Sequence, residues 1–307
     1  MNIYRNSRVF ISHICILFMS VLFSGFANST ENNASLIKMS QMALENGDPG
    51  SAIEHIEKAL ALEPTNADEI VLSGDIYCNK AQNSSMFSAL KFAKKCIAQY
   101  ETAVNLEPEN IKALVSAVRF HMEAPSIAGG SEEKGKLFLE RLTVLSPEDA
   151  DTCRIQLFLR QDNINAALEL AETLSEKGFN SARNQYDVAH FYRNSERYDK
   201  AAALFEPLTV WPETPENKWH VTDSLLQLGE ILLINNSNVS KSIELIEKYK
   251  EKNTNPRDVH YFWSTWSLAK AYRAAGNSEK YTILVKKIKS ENYKENKPFA
   301  KRFKAEQ

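Results

Sequence analysis

The chain has 307 residues, of which 43% are hydrophobic and 25% are charged, and its formal net charge is -2. These values are those of a globular protein, and they exclude an intrinsically disordered chain. The nearly balanced charge gives no electrostatic basis for nucleic-acid binding. The low content of glycine and proline is typical of a helical protein with short turns.

The N-terminal segment, residues 1–27, predicts a secretory signal peptide. Two arginines precede an apolar stretch over 14–23, and the small residues Gly25 and Ala27 stand at the spacing that a signal peptidase requires. The apolar stretch is short for a membrane span, and an uncleaved anchor is the alternative. We expect an exported protein, periplasmic if bacterial and otherwise secreted, with no stable membrane span after cleavage. A flexible stretch over 28–33 would follow the signal peptide.

One stretch of the sequence occurs twice, as Lys58–Asn66 (KALALEPTN) and as Thr102–Asn110 (TAVNLEPEN). Each copy ends a segment whose apolar residues fall at helical spacing. Proline follows because it lacks the N–H that would continue the helix. Small residues mark the positions where two helices must approach closely. The apolar positions that lead into the two copies are Ala52, Ile56 and Ala59, and Cys96, Tyr100 and Ala103.

This pattern resembles the tetratricopeptide repeat (TPR) family, whose unit is a helix–turn–helix of about 34 residues. The resemblance implies an all-α fold, a right-handed superhelical solenoid of about seven helix–turn–helix repeats spanning 34–292. It also implies that a protein or peptide binds on the concave groove. The repeats are predicted at about 33–66, 67–110, 111–150, 151–180, 182–215, 216–252 and 255–290. The charged segment 293–307 is expected to be a disordered tail.

Two repeats carry insertions in the turn between their helices. About ten extra residues precede Cys96 in the second repeat, and apolar residues keep helical spacing through them, which predicts a long second helix after Asn83–Ser85. The third repeat has an enlarged turn over 124–130. Such turns share one edge of a stacked array, so we expect the insertions to be neighbours. The long helix offers a second docking surface, unless it packs on that turn, and its members are Phe87, Leu90, Lys91 and Lys94.

The mature chain would hold three cysteines, Cys78, Cys96 and Cys153. Cys78 and Cys96 lie in the two helices of one repeat and could form a disulfide. The alternative, which the sequence favours, is that Cys96 serves as a small apolar residue at a position usually held by alanine.

No catalytic or metal-binding motif is found in the sequence. The six histidines are not spaced as a helical metal pair, and there is no Cys-x-x-Cys, Gly-x-Ser-x-Gly or phosphate-loop pattern. Ser131 after two glycines is predicted to cap a helix, because Glu132 and Glu133 would oppose an anion there. We expect a non-catalytic protein without cofactor. The alternatives are a cell-envelope enzyme or a structural subunit of an envelope complex built on the same repeats.

The family resemblance also indicates where a partner would bind, because the first helix of each repeat lines the concave surface. Carrying that register across predicts a basic groove with one aromatic residue. Its members are Arg119, His190, Arg193, Trp266, Lys270 and Arg273. Such a cluster could hold an acidic peptide or a terminal carboxylate. The Lys and Asn pattern of the family's carboxylate clamp is not matched here. The alternative is that these are ordinary solvated residues and that Trp266 lies in the core.

Overall fold

The computed structural model describes residues 32–254 and 260–306, and within them all regular secondary structure is helical. The predicted signal peptide lies outside the described residues. The helices, in chain order, are α1 (32–45), α2 (Pro49–Leu62), α3 (Ala67–Gln82), α4 (Met86–Leu106), α5 (Ile111–Glu123), α6 (Glu132–Leu145), α7 (Pro147–Arg160), α8 (Ile164–Lys177), α9 (Ala182–Asn194), α10 (Tyr198–Leu208), α11 (Lys218–Ile234), α12 (Val239–Lys252), α13 (Tyr261–Ala274), α14 (Ser278–Ser290) and α15 (Lys297–Glu306). None of the described helices is long and apolar enough to cross a membrane.

Consecutive helices pack against each other as hairpins, and the pairs follow the predicted repeats from α1–α2 to α13–α14. The all-α, TPR-like succession of helical hairpins predicted from the sequence is therefore confirmed. The chain forms two compact units, one of residues up to Ala117 with Ile127–Gly129, the other of Val118–Ser126 with the chain from Gly130. Helix α5 contributes to both units.

The core of the first unit follows the repeat pattern closely. Ala52, Ile56 and Ala59 are fully buried, as predicted. Helical spacing in the first repeat predicts that Met39 faces inward, and this prediction is wrong. Met39 is 45% exposed, and the neighbouring Ser40 is buried instead, with its hydroxyl donating to the Ala52 carbonyl at 2.9 Å. Of the stretch 28–33, predicted to be flexible, residues 28–31 lie outside the described residues, whereas Asn33 is buried in α1 and donates to Glu69 at 2.9 Å.

Helix α4 is the long second helix that the insertion predicted, and it packs closely on α3. Gly74 of α3 faces the ring of Tyr100, and a Cβ at residue 74 would lie 2.4 Å from a ring carbon. The structure also pairs Cys78 with Cys96 in a disulfide across the two helices. Cys96 is thus a disulfide cysteine. The alternative that the sequence favoured, in which Cys96 serves only as a small apolar residue, is wrong. Cys153 is a buried free thiol, and burial raises its pKa to about 12.

The core of the second unit is built from the small and large apolar residues that the later repeats predicted. Ala167, Ala171, Ala189 and Ala201 are fully buried where neighbouring helices approach, and larger side chains such as Phe205 fill the space beside them. Helix α6 begins as predicted, because the Ser131 hydroxyl accepts a hydrogen bond from the Lys134 N–H at 3.3 Å.

The C-terminal segment corrects the sequence analysis, since residues 293–306 are not a disordered tail. A 3-10 turn, Tyr293–Glu295, leads into α15, and Phe299 and Phe303 on α15 are buried. Their rings pack on Trp263 and Trp266 of α13. The helix was missed because two phenylalanines among many lysines give little hydrophobic pattern. Helix α14 is consequently not the last helix of the array, as had been expected.

Candidate functional site

The first helices of successive hairpins in the second unit contact one another directly, α7 with α9, α9 with α11, and α11 with α13. Their shared surface, together with the part of α5 from Val118, is called the first-helix face here. Side chains from different repeats lie next to one another on it. The residues predicted to form a basic groove belong to this face.

The predicted groove cations are paired with acids from other repeats. Arg119 donates to Asp187 at 3.0 Å, although Asp187 follows it by 68 residues in the chain. Arg193 donates to Glu230 at 2.6 Å. Ion pairs of this kind satisfy the carboxylates and tie together the first helices of different repeats. The first-helix face is thus not the run of free positive charge that the sequence analysis expected.

One chain of these contacts crosses three first helices. Glu230 of α11 accepts from Arg193 of α9 with one oxygen and from the Ser267 hydroxyl of α13 with the other, at 2.6 Å each. A second contact of the same kind joins the Tyr186 hydroxyl to Asp223 at 2.7 Å. Each of these pairs is separated by 37 residues, which is the spacing of one repeat in this part of the chain.

Two predicted groove residues of α13 are occupied elsewhere. Trp266 is 1% exposed and belongs to the core between α13 and α15, which corrects its assignment to the groove. Lys270 lies 3.4 Å from Glu306 of α15. Arg273 is exposed and its guanidinium lies over the ring of Tyr281, 5.3 Å from the ring centre. Lys270 and Arg273 thus do not offer the free positive charge of the predicted groove, and Trp266 does not offer its ring.

His190 is the predicted groove residue that borders an open cavity. This cavity, called the α7–α9 cleft, has a volume of about 390 Å³ and lies between α7, α8 and α9 in the second unit. Its apolar lining consists of Leu159, Ile164, Leu168 and Phe191. Its polar lining consists of Gln156, His190, Asn194, Ser195 and Arg197. The volume is in the range of cavities that bind small molecules or side chains.

The polar groups of the cleft offer one charge and several hydrogen bonds. Burial, and then the charge of Arg193, lower the pKa of His190, so its imidazole is neutral at neutral pH. Its Nδ1 lies 3.1 Å from the Asn194 amide nitrogen, and its ring stacks on Tyr186. Arg197 is exposed and forms no ion pair with any described residue. It supplies the unpaired positive charge of the cleft.

Most of the cleft was not predicted from the sequence, although the turns of two repeats gave a local signal. Repeats four and five have similar tight turns between their helices, in which Asp162 and Glu196 adopt positive φ angles of 53° and 58°. These equal turns bring Ile164 at the start of α8 and Arg197 just before α10 to the same cavity. Ile164 is 42% exposed, which the sequence does not show, so the similarity of the two turns was the available clue.

The second predicted surface lies at the start of α4. Phe87 is 82% exposed, Leu90 is partly buried, and Lys91 and Lys94 are exposed. The sequence slightly favoured packing of this helix on the enlarged turn 125–130, and for Phe87 that expectation is wrong. Among the described residues, no group of three or more His, Cys, Asp or Glu side chains is placed to hold a metal ion.

No family model matches the chain, and no curated protein matches its sequence. Several solved structures are similar. A tetratricopeptide repeat protein from Parabacteroides merdae is 19% identical, with 88% of this chain and 98% of that chain covered and a TM-score of 0.41. PilW, a type IV pilus biogenesis factor, is 12% identical, with 85% and 93% covered and a TM-score of 0.39. The human IFIT1 dimer with PPP-AAAA is 16% identical, with 91% and 65% covered and a TM-score of 0.43.

Structural similarities with sequence identities and TM-scores this low say nothing about what this chain binds. The fold rests on the chain's own hairpins, with their buried small residues, their proline-ended helices and their first helices in mutual contact. The described residues thus have a TPR-like, all-α fold.

Proposed function

We propose that the chain is a non-catalytic scaffold of the cell envelope that binds a protein or peptide in the α7–α9 cleft. The observation that carries this proposal is the unpaired Arg197 at a cavity of about 390 Å³ whose lining is partly apolar. The other cations of the first-helix face that the sequence singled out are engaged by acids or rings of the same chain. The cleft is where this face offers both apolar surface and free charge.

The lining defines the chemistry of the partner. Leu159, Leu168 and Phe191 provide apolar surface for one or two hydrophobic side chains. A carboxylate close to those side chains would accept hydrogen bonds from Arg197, and the Asn194 amide would contact the peptide backbone. A peptide suits this arrangement better than a nucleic acid, because a phosphate backbone is bound by several cations and the cleft has one.

A structural role for the charged groups supports the non-catalytic part of the proposal. Asp187 on α9 and Glu230 on α11 are each bound by an arginine. Location in the envelope is supported by the Cys78–Cys96 disulfide, because disulfides persist in oxidising compartments. The predicted signal peptide points in the same direction.

Selection from a random peptide library displayed on phage, with the full-length protein as bait, tests the proposal. Affinity of the enriched peptides is then measured by fluorescence anisotropy for the wild type and for two cleft variants, Arg197→Glu and Ile164→Asp. Both substituted residues are exposed at helix starts, where an acid is tolerated. We expect each variant to weaken binding by about tenfold or more.

Lys177→Glu is the matched control. It makes the same change in net charge as Arg197→Glu, but at the far end of α8, about 20 Å along the helix from Ile164. Enriched peptides should combine a large apolar residue with a nearby carboxylate. A selection that yields no consensus peptide sequence would overturn the assignment of the cleft. So would peptides that bind the wild type and both cleft variants with equal affinity.

A further inference from the structure

The tip of the α3–α4 hairpin, residues 80–94, combines exposed apolar side chains with unpaired positive charge. Met86 is 72% exposed and Phe87 is 82% exposed, on the first turn of α4. Burying a side chain of this size from water contributes about 2 kcal/mol, so two of them side by side on a surface indicate a partner for that surface.

The charge around the tip has one sign. Between residues 76 and 100 the sequence contains Lys80, Lys91, Lys94 and Lys95 and no aspartate or glutamate. Lys95, nearest the body of the hairpin, lies 3.8 Å from Glu57 and over the ring of Tyr77. The other three lysines form no ion pair with any described residue. The tip therefore carries net positive charge that the protein does not neutralise.

The apolar and basic groups share one face of α4. Phe87, Lys91 and Lys94 stand at positions i, i+4 and i+7, which fall on the same side of a helix, and all three are exposed. Lysines in such positions can lay their methylene chains along an apolar surface while the ammonium groups reach outward. An exposed aromatic ring flanked by such lysines is the arrangement of helices that lie in a membrane interface.

The tip is held firmly rather than being a loose loop. The Cys78–Cys96 disulfide joins the two helices directly below it. The rings of Tyr77 and Phe92 stack with their centres 6.4 Å apart, which closes the space between the helices. Phe87 is consequently presented in a fixed position at the end of a rigid hairpin, and no ordering of the chain is needed before it binds.

We propose that the tip of the α3–α4 hairpin inserts Met86 and Phe87 into the surface of a membrane rich in anionic lipid. The three free lysines would bind the lipid phosphates. A protein partner is disfavoured by shape, because a stable protein interface buries about 800 Å² on each side and a helix end presents far less. Insertion of one or two side chains into a lipid interface needs no complementary surface.

Flotation of the purified full-length protein with lipid vesicles tests the proposal. Vesicles of phosphatidylcholine alone are compared with vesicles containing about 30% phosphatidylglycerol. Any affinity of the N-terminal stretch for lipid is common to the wild type and all variants. Its apolar part is measured with the neutral vesicles, and the contribution of its two arginines cancels when the variants are compared. We expect binding to the anionic vesicles that exceeds this background and weakens as salt is raised.

Two tip variants separate the apolar and the electrostatic contributions. Met86→Ser/Phe87→Ser should weaken binding by about tenfold without a change in charge. Lys91→Glu/Lys94→Glu should weaken it by about 25-fold or more, since each lysine near an anionic surface contributes roughly a factor of five. All four residues are exposed, so the fold is expected to be unchanged.

Lys286→Glu/Lys289→Glu on α14 is the control with the same change in net charge, at residues that are also exposed. It should bind as the wild type does. Loss of binding only in the α14 variant would overturn the proposal in favour of the basic C-terminal region. Wild-type binding that does not exceed the neutral background, or binding by both tip variants that equals that of the wild type, would overturn it outright.

Discussion

The indole N–H of Trp266 donates a hydrogen bond to Glu306 at 2.8 Å and so joins the last helix, α15, to the first helix of the last hairpin. Lys270 and Arg302 also reach this carboxylate. Beneath the polar contacts, the Trp266 ring packs edge-on against Phe303 at 5.0 Å. Repeat arrays need a terminal element that covers the last apolar surface. In this chain α15 performs that role, with polar groups fixing its position over an aromatic core.

Replacement of Phe303 by alanine should therefore destabilise the second unit substantially. Phe303 is 1% exposed and stacks on Phe299 at 5.3 Å, so its removal leaves a cavity in the aromatic core. We expect a loss of about 3 kcal/mol in the free energy of unfolding, measured with urea. Phe87→Ala serves as the control, because Phe87 is 82% exposed and its truncation should change stability by less than about 0.5 kcal/mol. Equal effects of the two substitutions would mean that α15 does not cover α13.

The Glu306 contacts predict a dependence of stability on pH in the acid range. Burial acts to raise the pKa of Glu306, but the Trp266 indole, Arg302 and Lys270 together lower it from 4.5 to about 2. A carboxyl group with a lowered pKa in the folded state stabilises it above the unfolded value, and this contribution is lost as the pH falls from 4.5 to 2. The melting-temperature difference between wild type and Glu306→Gln should shrink across that window. A difference that does not vary with pH would contradict the prediction.

The fold could be predicted from the sequence because its signals are local and repeated. Ala52, Ile56 and Ala59 recur at helical spacing before Pro64, and their burial follows directly from that pattern. Helix α15 lacked such a signal, since its burial depends on aromatic rings that α13 presents about 40 residues earlier. Contacts of that kind are properties of the packed chain and not of the segment.

The candidate site was harder to predict for a related reason. The sequence places Arg193 on the first-helix face but does not show that Glu230 neutralises it, because the register between repeats decides the pairing. The equal spacing of Arg193, Glu230 and Ser267 was a readable clue. The α7–α9 cleft depends on two turns and three helices together, so the local similarity of the two turns does not by itself indicate it.

The close approach of α3 and α4 depends on Gly74. A methyl group at this position would lie 2.4 Å from a carbon of the Tyr100 ring, which is buried and held by its hydroxyl on Asp75 at 2.7 Å. Alanine improves helix propensity by about 1 kcal/mol, but overpacking costs about 1–3 kcal/mol. We expect Gly74→Ala to lower the free energy of unfolding by about 1 kcal/mol in urea titrations.

The reason for this loss can be tested with a second substitution. In a Tyr100→Leu background the ring is absent, so Gly74→Ala should be neutral or stabilising by up to about 1 kcal/mol. The same loss in both backgrounds would show that the contact with the ring is not what requires glycine.

His220 predicts a second, separate dependence on pH. Burial, with a further contribution from Arg119 and Arg183, lowers its pKa from 6.5 to about 4. Between these values the unfolded chain binds the proton and the native protein does not, so stability falls as the pH is lowered from 6.5 to 4. The loss amounts to up to about 3 kcal/mol. His220→Phe keeps an aromatic ring beside Tyr186 but cannot titrate. Its unfolding free energy should vary less over this range, and an unchanged pH profile would contradict the assignment.

The disulfide between Cys78 and Cys96 predicts that reduction destabilises the first unit. It closes a loop with a sequence separation of 18 residues, and crosslinks of this size contribute about 3 kcal/mol by restricting the unfolded chain. The wild type should therefore unfold at lower urea concentration in the presence of a reductant. Cys78→Ala/Cys96→Ala should resemble the reduced wild type and should not respond to the reductant.

Cys153 does not disturb the comparison, because its thiol is buried and its pKa is raised to about 12, which keeps it protonated and unreactive. A reductant effect that persists in the double variant would mean that another process is being measured. The absence of any effect on the wild type would mean that the bond does not form in solution, and the envelope location would lose its structural support.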